Sequence, residues 1–210
     1  MARGLFDFCH KEIYRDVPFR YGPSCDINLP HHAIGRELET CVQKAYPDIR
    51  PPPEGTFREI WIHCGGSQTF IDPVTLSRRS PDQVKIALDF LSTFVKKTRV
   101  DAAEISAIFF YRGSLEEFSR MRKQSEYEQA LAKLPPACTV DSYQGHQGKI
   151  AAVIMGTSDF DPGFAAHKNR LNVALSPHTS GLIIFGDINI IREDKRKSAR
   201  AKESDTMVLN

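Results

Sequence analysis

Two hydrophobic rhythms alternate along this chain. Short apolar runs at 59–64, 105–111, 137–141, 150–156 and 182–186 each end in glycine, proline or a polar turn, the pattern of β-strands. Between them, apolar residues recur at spacings of three and four: Ile34, Leu38, Cys41, Val42 and Ala45 in one segment, and Val84, Leu88, Leu91 and Val95 in another. Those spacings predict amphipathic helices over 34–46 and 82–95. The second opens with Ser80, Pro81 and Asp82, a capping serine, a proline at the first helical position and an acid in the first turn. A further helix is predicted over 114–134, with Ser114 and Glu117 at capping-box spacing and Pro135-Pro136 as its stop, and a shorter one over 169–175.

Strands that are apolar on both faces and alternate with amphipathic helices predict an α/β fold, a mainly parallel central sheet covered on both sides. Ligands of such sheets sit beyond the carboxyl ends of the strands. That rule places 63–68, 111–114, 141–147 and Asp187 along one candidate edge. Residues 1–57 hold turn formers, one short helix, the 34–46 helix and the stiff link Pro51-Pro52-Pro53, and are predicted to be a peripheral segment packed on the domain. The domain proper is expected over 58–192. The charged stretch 193–210 lacks apolar periodicity and is expected to be disordered.

Composition narrows the class. With 210 residues, 41% of them hydrophobic and 26% charged, the chain can bury a sizeable core. The net charge of +2 does not mark a nucleic-acid binder, because clustering of Lys and Arg matters more than their total. Clusters stand at Arg78-Arg79, Lys96-Lys97, 120–123 and 195–200, each also readable as a solvated face or tail. Five widely spaced cysteines without a CxxC pair fit reduced thiols, which implies an intracellular location, cytoplasm or nucleus. No apolar run nears the roughly 18 residues of a membrane span, and no membrane partner is expected. Cys25 with His31-His32 lacks the second half of a zinc spacing, so no metal site is assigned.

Chemistry is sought first in the polar turn at Gln144-Gly145-His146-Gln147-Gly148-Lys149. Gly148-Lys149 imitates the end of a phosphate-binding loop, but Gly145 is too close and Ile150 stands where Ser or Thr should bind magnesium. Asp187, after an apolar run, imitates a magnesium acid but is more simply a turn former. No GxSxG elbow is present, and Cys64 and His63 are strand neighbours that point to opposite faces. These residues do not compose an independent hydrolase.

Two stretches resemble a known family. TVDSYQGHQGKIAAVIMGTS resembles helicase motif V, and NRLNVALSPHTSGLIIFGD resembles motif VI. Their order and spacing are similar to the second, C-terminal RecA-like domain of superfamily 1 helicases of the up-frameshift type. HKEIYRDVPFRYGPSCDI and IFFYRGSLEEF, the latter at motif IV, resemble the form found in large fungal helicases of this group. The resemblance covers residues 1–192 and implies a RecA-like, P-loop-NTPase-type three-layer domain. In that family ATP lies between two RecA-like domains and a single strand of RNA or DNA crosses both. The resemblance therefore assigns Gln144, Gly145, Gln147 and Arg170 to the nucleotide cleft, and Tyr111, Arg112, Thr139, Asp141 and Ser142 to the nucleic acid. Taken alone, Arg170 is also readable as a surface helix residue.

Departures from the family pattern are specific. Gln147 replaces a glutamate that accepts hydrogen bonds from the ribose, keeping an acceptor without its charge. Pro177 replaces the arginine that reaches the γ-phosphate, a group worth about three to five orders of magnitude in rate, and neighbouring His178 lacks an arginine's donor fork. Lys149 replaces an acid and Phe110 a proline. The resemblance also implies that the phosphate-binding lysine and the magnesium acid lie in a first RecA-like domain, expected from a partner chain. ATP and magnesium are then expected only with that partner, and the chain alone is expected to be inactive. The competing expectation is a non-enzymatic nucleic-acid- or protein-binding module, a degenerate remnant of a helicase.

Overall fold

The computed structural model describes residues 1–158 and 162–189. In chain order the elements are α1 (Asp7–Ile13), α2 (Ala33–Ala45), β1 (Ile60–His63), β2 (Phe70–Ile71), β3 (Arg78–Arg79), α3 (Pro81–Thr98) and β4 (Ile105–Phe109), followed by α4 (Arg112–Met121), α5 (Ser125–Leu131), β5 (Cys138–Thr139), α6 (Val140–Tyr143), β6 (Gly148–Ile154), α7 (Lys168–Leu175) and β7 (His178–Gly186). Five strands form one sheet in the order β1-β7-β6-β4-β5, with every pairing parallel. β2 and β3 form a separate antiparallel hairpin. The expected charged tail, with the 195–200 cluster, lies outside the described residues.

Alternation along the central strands builds a core on each face. Ile105, Ala107 and Phe109 of β4, Ile150, Ala152 and Ile154 of β6, and Ile183 and Phe185 of β7 meet α2, α3, α4 and α5 on one side. Ile108, Ala151, Val153, Leu182 and Ile184 meet α6 and α7 on the other. Successive strand residues point to opposite faces, so two cores require strands apolar at every position. The α3 stripe holds as predicted, with Val84, Leu88 and Leu91 fully buried. Gly35 of α2 lies against β7, where a Cβ would stand 2.2 Å from the Ser180 carbonyl oxygen.

Three local expectations are corrected. The 114–134 helix is two helices, broken where the Arg122 guanidinium donates to the carbonyls of Leu134 and Pro135 at 2.9 and 3.0 Å. Ser114 is not its cap: α4 begins after Tyr111, and the Ser114 hydroxyl accepts from Ser80 N and donates to the Arg78 carbonyl. Glu117 turns instead to Arg120. Ser80 does occupy the N-cap of α3, but its hydroxyl donates to the Gln68 carbonyl at 2.9 Å.

The 137–141 strand is only Cys138–Thr139, because Thr139 and Ser142 form a reciprocal capping box that starts α6 at once. This moves the polar turn. Thr139 pairs with Phe109 at the carboxyl end of β4, whereas Gly148 pairs with His178 at the amino end of β7. Residues 140–147 therefore run back across one face of the sheet. The expectation of a single edge holding 141–147 together with 111–114 is overturned: the turn lies at the opposite edge from Tyr111.

Candidate functional site

The carboxyl edge gathers residues from four elements. Tyr111, at the N-cap of α4, is buried, and its hydroxyl accepts the Phe164 backbone N–H at 2.8 Å. Its ring stacks on Phe164 at 5.4 Å with 19° between planes. The Arg78 guanidinium lies 5.2 Å from the Tyr111 ring, and that of Arg170 lies 4.5 Å from the Phe164 ring. Arg170 also donates from Nε and Nη2 to the two oxygens of Asp141, at 2.9 and 3.0 Å. The result is a continuous arginine–aromatic series that links the β2–β3 hairpin, α4, α6 and α7.

Two residues assigned to different ligands are thus direct partners. Arg170, from the nucleotide set, and Asp141, from the nucleic-acid set, form a bidentate ion pair, the geometry that a phosphate can take over from a carboxylate. Because Arg170 is one-third and Asp141 two-thirds exposed, the pair contributes little stability. Asp141→Asn should lower stability by less than about 1 kcal/mol in urea titrations, since the amide keeps one acceptor for Arg170 and loses only the charge and the second oxygen. A larger loss would mean that the pair is structural.

Thr139 and Ser142 are occupied by the cap of α6. Thr139 Oγ1 accepts from Ser142 N at 3.3 Å, while Ser142 Oγ accepts from Thr139 N and donates to the Thr139 carbonyl, both at 3.0 Å. The Thr139 hydroxyl proton can turn to Ser142 Oγ at 3.0 Å or outward to an anion. Arg112 is exposed and pairs with Glu116 one turn on, at 2.8 Å.

At the other edge, Gln144, Gly145, His146 and Gln147 are all exposed. Gly145 adopts φ +85°, which a residue with a Cβ rarely tolerates, so the glycine is there for the turn's conformation. The turn is closed by His146 N donating to the Tyr143 carbonyl at 3.0 Å, and Tyr143 is fixed by its hydroxyl donating to Ser106 at 2.8 Å. An open cavity of about 570 Å³ lies beside it, lined by Glu104, Cys138, His146, Gln147 and Lys149 among others. Lys149 lies within β6, not at the head of a helix, and pairs with Glu104 at 3.0 Å. Burial pushes the Cys138 thiol up to about 11, so it stays protonated.

Pro177 and His178 are both buried at the start of β7, with the Pro177 carbonyl accepting Gly148 N at 2.9 Å. Neither position presents a group to a phosphate. Asp187 accepts Asn189 N at 2.8 Å, as a turn former does. Cys64 is buried and held up to about 11, mainly by burial, while His63 points out toward Asp187. Sequence reasoning passed over Phe164 and treated Arg78-Arg79 as one charged cluster among several. The only signal for Phe164 was an isolated aromatic in the polar stretch DPGFAAHK.

An all-parallel five-stranded sheet between two helical layers, with polar segments at the strand ends, defines a RecA-like α/β domain. A family model described as an AAA domain matches residues 32–189, more than half of the chain. The chain belongs to that AAA domain family. Over 57 residues it is also 40% identical to the Saccharomyces cerevisiae protein named Putative ATP-dependent RNA helicase ECM32. That match covers 26% of this chain and spans only 5% of the yeast protein's length. No described helix is long and apolar enough to cross a membrane.

Proposed function

We propose that the chain is the second, C-terminal RecA-like domain of a superfamily 1 helicase of the up-frameshift type. The turn Gln144, Gly145 and Gln147 contributes to a nucleotide cleft, and Tyr111, Arg112, Thr139, Asp141 and Ser142 contribute part of a single-strand track; Arg170, which the resemblance assigns with the nucleotide set, stands at the strand edge beside Asp141. The observation that carries this reading is the Arg170–Asp141 ion pair, which joins the two helicase-like motifs in one contact. A phosphate that reaches Arg170 must displace the Asp141 carboxylate or share the guanidinium with it. The yeast relative, named for ATP-dependent action on RNA, supports the same reading.

Hydrolysis needs a phosphate-binding loop and a magnesium acid that these 210 residues do not contain. ATP and magnesium therefore bind productively only when a first RecA-like domain stands beside this one. Buried Pro177 and His178 support a second reading, a domain that keeps the fold and strand binding while its catalytic contacts have drifted.

The test is nucleic-acid-stimulated ATP hydrolysis by the purified chain, alone and with a chain carrying a first RecA-like domain. No turnover alone and stimulated turnover with the partner are expected. Robust turnover by the chain alone, abolished by Arg170→Ala, overturns the proposal. Stimulation absent with every such partner, alongside salt-sensitive strand binding, favours the drifted domain.

A further inference from the structure

The β2–β3 hairpin stands at the same edge as Tyr111, and nothing above assigns it a role. It is fastened to α4: the Ser77 hydroxyl accepts Gly113 N at 2.9 Å, and the Ser114 hydroxyl donates to the Arg78 carbonyl at 3.2 Å. Gly113 permits this approach, since a Cβ there would lie 2.8 Å from the Arg78 carbonyl oxygen. The turn is stiffened by Asp72, whose Oδ1 accepts Val74 N and Thr75 N at 2.9 and 2.7 Å. Asp72 is thereby occupied within its own turn.

Between the hairpin and α4 lies an open groove of about 710 Å³, whose lining includes Phe70, Ile71, Arg79, Arg112 and Arg120. Phe70 is 49% exposed, and the guanidinium of its cross-strand partner Arg79 lies 5.8 Å from its ring. Arg112 and Arg120 are neutralised by Glu116 and Glu117, which leaves Arg79 paired with a ring rather than with a carboxylate. Together with Arg78 on Tyr111 and Arg170 on Phe164, every arginine–aromatic pair among the described residues lies at this edge.

We propose that the groove carries the single strand onward from the Tyr111 edge, with Phe70 as a base-stacking platform and Arg79 as the phosphate contact. Single-stranded nucleic acid is the occupant because a stacked base takes the exposed aromatic face and the phosphate takes the adjoining guanidinium, the combination that sequence-independent strand binding uses. An apolar protein ligand would instead have to bury the Arg79 guanidinium without an anion to meet it. The inference rests on the strand-binding half of the proposed function and extends its track to the hairpin.

The test uses the full chain and a fluorescein-labelled 12-nucleotide poly(U) in anisotropy titrations across a salt series. Phe70→Ala should weaken binding about tenfold, and Phe70→Trp should restore it. Arg79→Ala should reduce the slope of log K against log salt by about 0.7, one phosphate contact on a single strand. Photocrosslinking with 4-thiouridine in the same oligonucleotide should label the hairpin between Phe70 and Arg79. If Arg112→Ala and Thr139→Ala weaken binding but the Phe70 and Arg79 variants do not, and no crosslink maps to the hairpin, the extension fails while the helicase reading stands. If the wild-type chain does not bind the oligonucleotide at low salt, both fail.

Discussion

A Gln83→Leu variant should unfold about 3–5 kcal/mol more easily than the wild-type protein, because one buried amide serves three partners at once. Gln83, in the first turn of α3, is fully buried. Its Oε1 accepts Gly156 N at 2.9 Å, and its Nε2 donates to the Thr157 carbonyl at 2.7 Å and to the Ser67 hydroxyl at 3.0 Å. Leucine fills a similar volume but leaves these polar groups buried without a partner. Each costs about 1–3 kcal/mol. Urea denaturation at neutral pH measures the loss, with an unchanged m-value expected if the fold persists. A loss below about 1 kcal/mol would show that water replaces the amide and that the segment after β6 is looser than drawn. The consequence for the site is direct: a Cβ at Gly156 would lie 3.3 Å from the Tyr111 ring, so loosening this segment loosens the floor under Tyr111.

The second large effect is a dependence on pH centred on His178. Its ring is completely buried at the start of β7, and neither nitrogen meets a partner at good hydrogen-bond geometry among the described residues. Burial lowers its pKa to about 4 from an ordinary 6.5, outweighing a small opposing contribution from the nearby Leu5 backbone. Above pH 6.5 the imidazole is neutral in both folded and unfolded chains, and its contribution to stability is intact. Between pH 6.5 and about 4 the unfolded chain takes up a proton that the folded chain refuses, so stability falls as pH falls, by about 3 kcal/mol in total. His32, also pushed down mainly by burial, acts in the same direction. Glu39 and Glu59 are pushed up by burial and act in the opposite direction, since each folded carboxyl holds its proton more tightly than the unfolded one. The clean measurement is therefore a difference. Wild type and His178→Leu are unfolded in urea at pH 7 and at pH 4, and the wild type should lose about 3 kcal/mol more over that interval. Equal losses in the two proteins would overturn the account.

The N-terminal segment bears on both predictions, because it is tied into the sheet and the site. Ala2 N donates to the Thr179 carbonyl at 2.7 Å, beside His178. Asn172 of α7 donates to the Tyr14 hydroxyl at 2.7 Å and accepts from the Cys9 thiol at 3.5 Å. Burial, with a smaller contribution from Glu59, raises that thiol to about 11, so Cys9 is a packing residue and a weak donor. α7 thus reaches Arg170 at one end while α1 braces its middle.

What the sequence determined by itself was the set of elements whose cause is local. The central parts of β4, β6 and β7 were legible because they face two cores and are almost wholly apolar, although β6 and β7 begin earlier than their apolar runs, at Gly148 and His178; α3 was legible because its stripe and its proline agreed. Arg170, Asp141 and Thr139 were named only through the resemblance to helicase motifs, and their roles stand as part of the proposed function. The tertiary structure decided the rest. Ser114 has the right neighbour three residues on for a capping box, yet α4 starts earlier because Ser77, thirty-six residues upstream, supplies the hydroxyl for Gly113 N. Capping by a distant residue leaves no trace in local spacing. The four-residue helix α6 was hidden at the end of a segment that reads as a strand, and with the parallel pairing of β6 it sends the Gln144–Gln147 turn to the edge opposite Tyr111. Phe164 and Phe70 gained meaning only when folding set each beside an arginine, because a cation over a ring is a relation in space that sequence order does not encode.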